Sequence, residues 1–126
     1  MTRPQHITVL GAGFGALSTV RALRQRDRHA RITLVSPRAE LHYLPGIIWI
    51  PSGERTRADL VVPLAPFFKR MDVEHVAADV TGLEEGGRSV LTSAGAITND
   101  ALVIATGGRF IKKLPGIEHA ITPCEG

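Results

Sequence analysis

The amino-acid sequence predicts an α/β fold, in which a parallel sheet carries helices and a small antiparallel β-meander. Three observations support this class. A strand–helix–strand unit spans residues 6–36, short apolar segments alternate with turns over about residues 79–98, and a fully apolar strand follows at residues 101–107. A strand–helix–strand unit joins two parallel strands by a right-handed crossover, so the main sheet is expected to be parallel. We expect residues 1–126 to belong to one domain.

The first unit is defined by its apolar periodicity. Residues 6–10, HITVL, are a short run of β-branched and aliphatic residues, typical of a buried strand. Leu17, Val20 and Leu23 then recur at helical spacing, and residues 32–36, ITLVS, predict a second buried strand. Arginines occupy the opposite side of the helix, which is predicted to face solvent: Arg21, Arg24 and Arg28.

The middle of the chain has no sustained period. Residues 47–50, which include Trp49, are most simply core, and an apolar surface against a missing domain is the alternative. The segment VPLAPFFKRM predicts a short helix with Pro63 near its start, and residues 73–78 predict a third strand. Glycine-containing turns then divide the meander: Gly86 with Gly87, and Ala94 with Gly95.

A glycine-rich turn joins the first strand to the first helix. Gly11, Gly13 and Ala16 match the pattern G-x-G-x-x-G/A, whose first glycine allows a tight turn and whose second lets the backbone approach a pyrophosphate. The N-terminus of the helix adds free N–H groups and the positive end of its dipole. Because the motif lies between a strand and a helix, it predicts a Rossmann-like FAD- or NAD(P)-binding domain.

The residue expected next in such a domain is missing. The second strand usually ends in an acid that binds the adenosine ribose, but here it ends in Ser36, followed by Pro37 and Arg38. An arginine near a missing acid suggests the 2′-phosphate of NADP, while Glu40 is a candidate displaced acid. The local residues leave NADP, NAD and FAD open, and they allow a stand-alone NADP-binding module without catalysis.

The last strand narrows these alternatives. The segment NDALVIATG, with Asp100 before the strand and Thr106 and Gly107 at its end, resembles the YDYLVIATG segment of FAD-dependent pyridine nucleotide-disulfide oxidoreductases. A simple nicotinamide dehydrogenase does not need this element. Short-chain reductases use a tyrosine-x-x-x-lysine pair, which is absent because Tyr43 is the only tyrosine.

Within this superfamily the chain resembles sulfide:quinone oxidoreductases and flavocytochrome sulfide dehydrogenases. The resemblance extends from VLGAGFGALSTVRALR through ITLVSPRAELHYLPG to DVTGLE, and covers about the first third of such an enzyme. Several members also place serine at the position of Ser36. The implied cofactor is FAD, with these contacts: Gly11, Ala12, Gly13, Phe14, Gly15 and Ala16 at the pyrophosphate; Ser36 and Pro37, beside Arg38, at the ribose; Leu44 and Pro45 on the flavin side; Val80 at the adenine; Thr106 and Gly107 in the nucleotide cleft.

The resemblance also implies a function for Cys124. Family cysteines near the flavin accept sulfide sulfur, and electrons pass through FAD to a membrane quinone. Cys124 follows LPGIEHA as the first redox cysteine of the family follows its own PG segment. Glu125 departs from the pattern, because a neighbouring carboxylate disfavours a thiolate. A type II NADH:quinone dehydrogenase-like or other pyridine nucleotide-disulfide oxidoreductase is the alternative, although such enzymes typically carry an acid at the position of Ser36.

Composition argues against several other classes of protein. The net charge is +3, 44% of residues are hydrophobic, and the arginines lack the interleaved aromatics of a nucleic-acid interface. The single cysteine excludes an internal disulfide, and no residue cluster has metal-site spacing. No apolar run is long enough to span a membrane, so the expected location is cytoplasmic. For the intact enzyme the resemblance implies a C-terminal remainder with peripheral contact to the inner membrane, and it is compatible with an oligomer.

Overall fold

The computed structural model describes residues 3–120. Its helices are α1 (Phe14–Arg26) and α2 (Ala65–Met71). The strands are β1 (His6–Leu10), β2 (Arg31–Ser36), β3 (Glu40–His42), β4 (Val61–Pro63), β5 (Val73–Ala77), β6 (Val80–Glu84), β7 (Ser89–Thr92), β8 (Gly95–Thr98) and β9 (Ala101–Ile104). The chain divides into two compact units, the first containing residues up to Leu41 with Pro63–Thr106, and the second His42–Val62 with the residues from Gly107 onward.

A four-stranded sheet organises the first unit. Its order is β5-β2-β1-β9, and every pairing is parallel. Ile7 and Val9 of β1 belong to the same apolar cluster as Val20 of α1 and Phe68 of α2, so the helices cover one face. Because β1 and β2 are consecutive in the chain and parallel, α1 is the crossover between them. The prediction of an α/β, Rossmann-like fold with a parallel sheet is confirmed.

The antiparallel meander β6-β7-β8 contributes to the other face of the sheet. Leu10 and Val35 form a second apolar cluster with Val90 of the meander, and Val90 is completely buried. Val9 and Leu34 lie in the cluster with the helices, whereas Leu10 and Val35, one residue further along each strand, lie in the cluster with the meander, because successive residues of a strand point to opposite faces. The meander predicted from the glycine-containing turns is therefore present and supplies a layer of the core.

Two element boundaries differ from those expected. The last strand was predicted to continue to Gly107 but ends at Ile104, with one further backbone bond of 2.9 Å from the Ala105 N–H to the Leu10 carbonyl. Pro63 was expected near the start of the helix but is the last residue of β4. The helix α2 begins two residues later, at Ala65, and the proline in its first turn is Pro66. Proline is accepted there because the first N–H groups of a helix have no partner within the helix.

The second unit contains the 3₁₀ segments Leu44–Trp49, Ala58–Leu60 and Ile117–His119. A backbone hydrogen bond of 2.8 Å joins the Tyr43 N–H to the Leu60 carbonyl. Ile48 is 69% exposed and Trp49 is 45% exposed, so their assignment to the core was wrong. The alternative of an apolar surface agrees with this exposure.

Within residues 3–120 we find no helix long and apolar enough to span a membrane. The same residues contain no group of three or more histidine, cysteine, aspartate or glutamate side chains that could hold a metal ion.

Candidate dinucleotide-binding site

The candidate site lies along one edge of the parallel sheet. Ligands of open parallel sheets bind outside the carboxyl ends of the strands. Here β1 ends in the glycine loop, β2 ends at Ser36, and β9 is followed by Ala105 and Thr106. The Gly11 N–H donates to the Val35 carbonyl at 2.8 Å. The three chain segments predicted to hold the nucleotide are thus brought to one edge by the sheet order.

Gly11 is required by the close approach of the chain after β9. Its φ is +107°, a conformation that residues with a side chain rarely adopt. A Cβ at this position would collide with the carbonyl oxygen of Ala105, and it would lie 2.8 Å from the carbonyl carbon and 3.2 Å from the Thr106 Cα. The glycine therefore allows β1 and β9 to continue side by side into the loop.

Gly13 has a different reason to be glycine. It precedes α1 with extended backbone angles, and a Cβ there would meet no protein atom within 4 Å. The space beside its backbone is open, as a loop that receives a ligand requires. No acidic residue stands in the first turn of α1 to repel an anion, and no side chain caps it. An anionic pyrophosphate therefore fits this helix N-terminus.

The other loop residues support this geometry. Ala16 is completely buried in the apolar cluster below the helix, where the third position of the motif needs a small residue for close packing of the helix on the strand. A Cβ on Gly15 would make an ordinary contact of 3.8 Å with the Ala105 Cβ. Ala12 packs at the margin of the same cluster, and Phe14 is 53% exposed.

Ser36 is held by other protein groups. Its hydroxyl donates to the Arg38 carbonyl at 2.7 Å and lies 2.9 Å from Nε2 of His75. Only 5% of the residue is exposed. Because its proton is used within the protein, Ser36 can offer a ribose only a lone pair.

Sequence reasoning missed His75, which lies on β5 in register with Leu34 of β2. Its ring stacks on Phe68 of α2, with centroids 5.0 Å apart and planes 17° from parallel. Burial lowers the pKa of His75, so the neutral ring is favoured. The chain has five histidines, and nothing in their sequence positions indicates which of them contacts Ser36. The pairing of β2 with β5 brings His75 next to it.

The remaining predicted contacts fall into both units. Pro37, Arg38 and Thr106 are exposed in the first unit, and Val80 begins β6 there with 37% of its surface exposed. The sequence gap between β5 and Val80 is short, which keeps Val80 near the carboxyl end of β5.

Leu44, Pro45 and Gly107 belong to the second unit and are exposed. Their cofactor contacts stay predictions. Cys124 lies outside the described residues, so its predicted redox role is not addressed by the structure.

Asp100 lies at the opposite, amino end of the strands. Its carboxylate accepts two hydrogen bonds from Arg3, at 2.6 and 3.0 Å, and one of 2.8 Å from the His6 N–H. The bond from the His6 backbone, followed by that from Arg3, lowers the pKa of Asp100. Asp100, the second residue of the segment NDALVIATG, therefore connects the start of β1 to the start of β9 and lies away from the glycine loop.

Comparison with known proteins agrees with this arrangement. The family model described as pyridine nucleotide-disulphide oxidoreductase matches residues 5–125. The chain belongs to this family. This is a family of oxidoreductases, and membership in it confirms the resemblance on which the sequence interpretation was based.

Two curated relatives show similar identity. The chain is 31% identical over 119 residues to a sulfide-quinone reductase of Aquifex aeolicus, covering 94% of this chain and 28% of the relative. It is 32% identical over 117 residues to a type II NADH:quinone oxidoreductase of Staphylococcus aureus, covering 89% of this chain and 28% of the relative. The chain therefore spans about 28% of the length of these two relatives.

Solved structures share the fold. The sulfide:quinone oxidoreductase of Aquifex aeolicus superposes with a TM-score of 0.82 at 31% identity, covering 90% of this chain and 27% of that one. NDH2 of Plasmodium falciparum, solved with NADH, gives a TM-score of 0.76 at 18% identity, covering 92% and 25%. At that identity the second likeness concerns the fold alone.

Proposed function

We propose that this chain is the FAD-binding portion of an oxidoreductase that passes electrons from sulfide through FAD to a quinone. One observation carries the proposal: the similarity to the Aquifex aeolicus sulfide-quinone reductase extends over 94% of the chain and includes a fold with a TM-score of 0.82. The glycine loop at the carboxyl edge of the sheet supports the nucleotide part. Its open space at Gly13 and its acid-free helix N-terminus suit a pyrophosphate.

The residues of the first unit would bind and orient the nucleotide. Gly11 holds the loop against Ala105, and Gly13 leaves room for phosphate oxygens beside the backbone. Ser36 would accept one hydrogen bond at the ribose end. FAD, when bound, supplies an isoalloxazine ring that accepts two electrons.

Cys124 is our proposed sulfide-reactive thiol in the intact enzyme. Such a role needs a thiolate, whose formation a neighbouring Glu125 opposes, so other groups of the intact enzyme would have to favour it. A Cys124→Ser variant should then lose most sulfide oxidation while it retains bound flavin. Wild-type sulfide turnover in that variant would exclude the role.

A second candidate keeps the fold and changes the electron donor. The Staphylococcus aureus relative, a type II NADH:quinone oxidoreductase, matches at 32% identity, so sequence similarity alone favours neither donor. Both relatives are quinone oxidoreductases by name, so a quinone acceptor is common to the two candidates. A C-terminal remainder would complete either enzyme, since the relatives are several times longer.

The absorbance spectrum of the purified full-length protein separates the candidates. We expect flavin bands that sulfide bleaches anaerobically and that added quinone restores. Bleaching by NADH but not by sulfide would replace the first candidate by the second. Absence of flavin together with binding of NADP would remove both, and would favour the non-catalytic module.

A further inference from the structure

We propose that His75 is a positioning residue of the nucleotide cleft, acting through Ser36 on the turn that follows β2. The ligand at this turn, the ribose of a dinucleotide, rests on the proposed function. The positioning itself rests on contacts inside the first unit. His75 and Ser36 together stand where a carboxylate is usual in this fold.

The direction of the hydrogen bonds follows from proton counting. A serine hydroxyl has one proton and accepts through two lone pairs. The shorter contact, 2.7 Å, is to the Arg38 carbonyl, which can only accept. The Ser36 proton is therefore used there, and His75 must donate from Nε2–H across the 2.9 Å contact.

The imidazole is itself held in place. Its stacking on Phe68 fixes the ring plane, and its burial favours the neutral form. A neutral ring that donates from Nε2 carries no proton on Nδ1. The ring therefore fixes the rotamer of Ser36, which in turn fixes the Arg38 carbonyl.

Two backbone bonds report on this turn. The Ala78 N–H donates to the Ser36 carbonyl at 3.2 Å, at the end of β5. The Leu64 N–H donates to the Ala39 carbonyl at 2.8 Å, just before α2. Since one acceptor is the last residue of β2 and the other lies in the turn that follows, loosening of this turn should expose both amides to solvent exchange.

The arrangement also defines what the strand end can recognise. A carboxylate offers two oxygens to a ribose diol, whereas Ser36 has one lone pair left. Arg38 stands exposed beside it and carries a positive charge rather than a negative one. The His75–Ser36 pair thus fixes a strand end with one acceptor, and its disruption should weaken binding of the dinucleotide without touching the glycine loop.

The test uses His75→Phe, which keeps an aromatic ring for stacking on Phe68 and removes the donor. His75→Gln is the matched rescue variant, because an amide N–H can replace the imidazole donor. Amide hydrogen exchange of Ala78 and Leu64 is measured by NMR in each purified protein, with the Arg31 amide, bonded to the Gln5 carbonyl at 2.8 Å, as a distant control. FAD affinity is measured by fluorescence titration of the same samples.

We expect His75→Phe to raise exchange of the two reporter amides about tenfold, to leave the Arg31 amide unchanged, and to weaken FAD binding about fivefold. His75→Gln should restore most of both. In a Ser36→Ala background, His75→Phe should have no further effect, because both substitutions break one chain of hydrogen bonds.

Three results would overturn the proposal: wild-type exchange in His75→Phe, equal behaviour of the Phe and Gln variants, or additive effects with Ser36→Ala. Failure of the wild-type protein to bind FAD is a different result. It contradicts the proposed function, while the exchange measurements still decide whether His75 positions the turn.

Discussion

Gly11 and Gly13 occupy one loop but are glycine for different physical reasons. At Gly11 the constraint is internal, since φ is +107° and the Ala105 backbone occupies the place of a Cβ. At Gly13 the backbone angles suit any residue, and the surrounding space is empty of protein. The first glycine is therefore required by the fold, whereas no contact within the fold requires the second.

Gly11→Ala should destabilise the protein by about 3 kcal/mol, because an unfavourable φ is added to a backbone collision that no side-chain rotation relieves. Urea unfolding followed by circular dichroism measures the free energy of unfolding. A loss below about 1 kcal/mol would contradict the close approach of Ala105 to this loop.

Gly13→Ala is the matched control and should behave in the opposite way. We expect the free energy of unfolding to fall by about 1 kcal/mol at most, since Ala is a poorer N-cap residue than Gly but its methyl group would meet no protein atom within 4 Å. FAD affinity should fall at least tenfold, because the methyl group fills the space proposed for phosphate oxygens. Calorimetric titration tests this, and unchanged affinity would remove the pyrophosphate from Gly13.

At the scale of elements, Arg24 joins the ends of two helices. Its guanidinium donates to the carbonyls of Met71 and Asp72 at the end of α2, at 2.9 and 3.0 Å. It also donates to three carbonyls after α1: those of Asp27, Arg28 and Ala30. The apolar periodicity of the helix placed Arg24 on the solvated side, and that prediction was wrong, because the side chain is half-buried and donates to carbonyls at the end of α2.

Arg24→Met should lower the free energy of unfolding by about 2 kcal/mol, since methionine keeps the apolar stem and leaves the carbonyls without their charged donor. Arg21→Met on the same helix is the control, because Arg21 is exposed and should change stability by less than about 0.5 kcal/mol. Equal losses in the two variants would mean that charge, and not the contacts of Arg24, is responsible.

For the whole molecule, local patterns predicted the layers of the fold well. The apolar runs of β1 and β2 and the glycine-containing turns of the meander are short-range signals, and the structure has these elements. The sequence did not reveal that Trp49 is exposed, because an apolar run looks the same on a surface as in a core.

The parts of the candidate site that are formed by residues close together in the sequence could be predicted, whereas contacts that depend on the pairing of strands could not. Gly11 and Gly13 follow from a motif within one turn. The contact of Gly11 with Ala105 and that of Ser36 with His75 join residues far apart in the chain. The sheet order β5-β2-β1-β9 makes them neighbours, and local apolar patterns do not state which residues of adjacent strands are paired.

Two partly buried histidines should make the stability of the whole chain depend on pH. Burial first, and for His6 also the nearby Arg31, lowers the pKa of His6 and of His75 below the ordinary 6.5. The unfolded state therefore binds more protons as the pH falls through 6.5, so stability is full above that value and is lost toward the lowered pKa values. The free energy of urea unfolding should decrease from pH 7.5 to pH 5.0.

The double variant His6→Gln/His75→Phe should show a flatter dependence over the same interval. Asp59 and Asp100 do not contribute in this pH interval, because the hydrogen bonds that they accept lower their pKa values below the ordinary 3.8. A wild-type protein equally stable at both pH values would contradict the burial of the two imidazoles. If the free energy of unfolding of the double variant depended on pH as steeply as that of the wild type, groups other than His6 and His75 would cause the pH dependence.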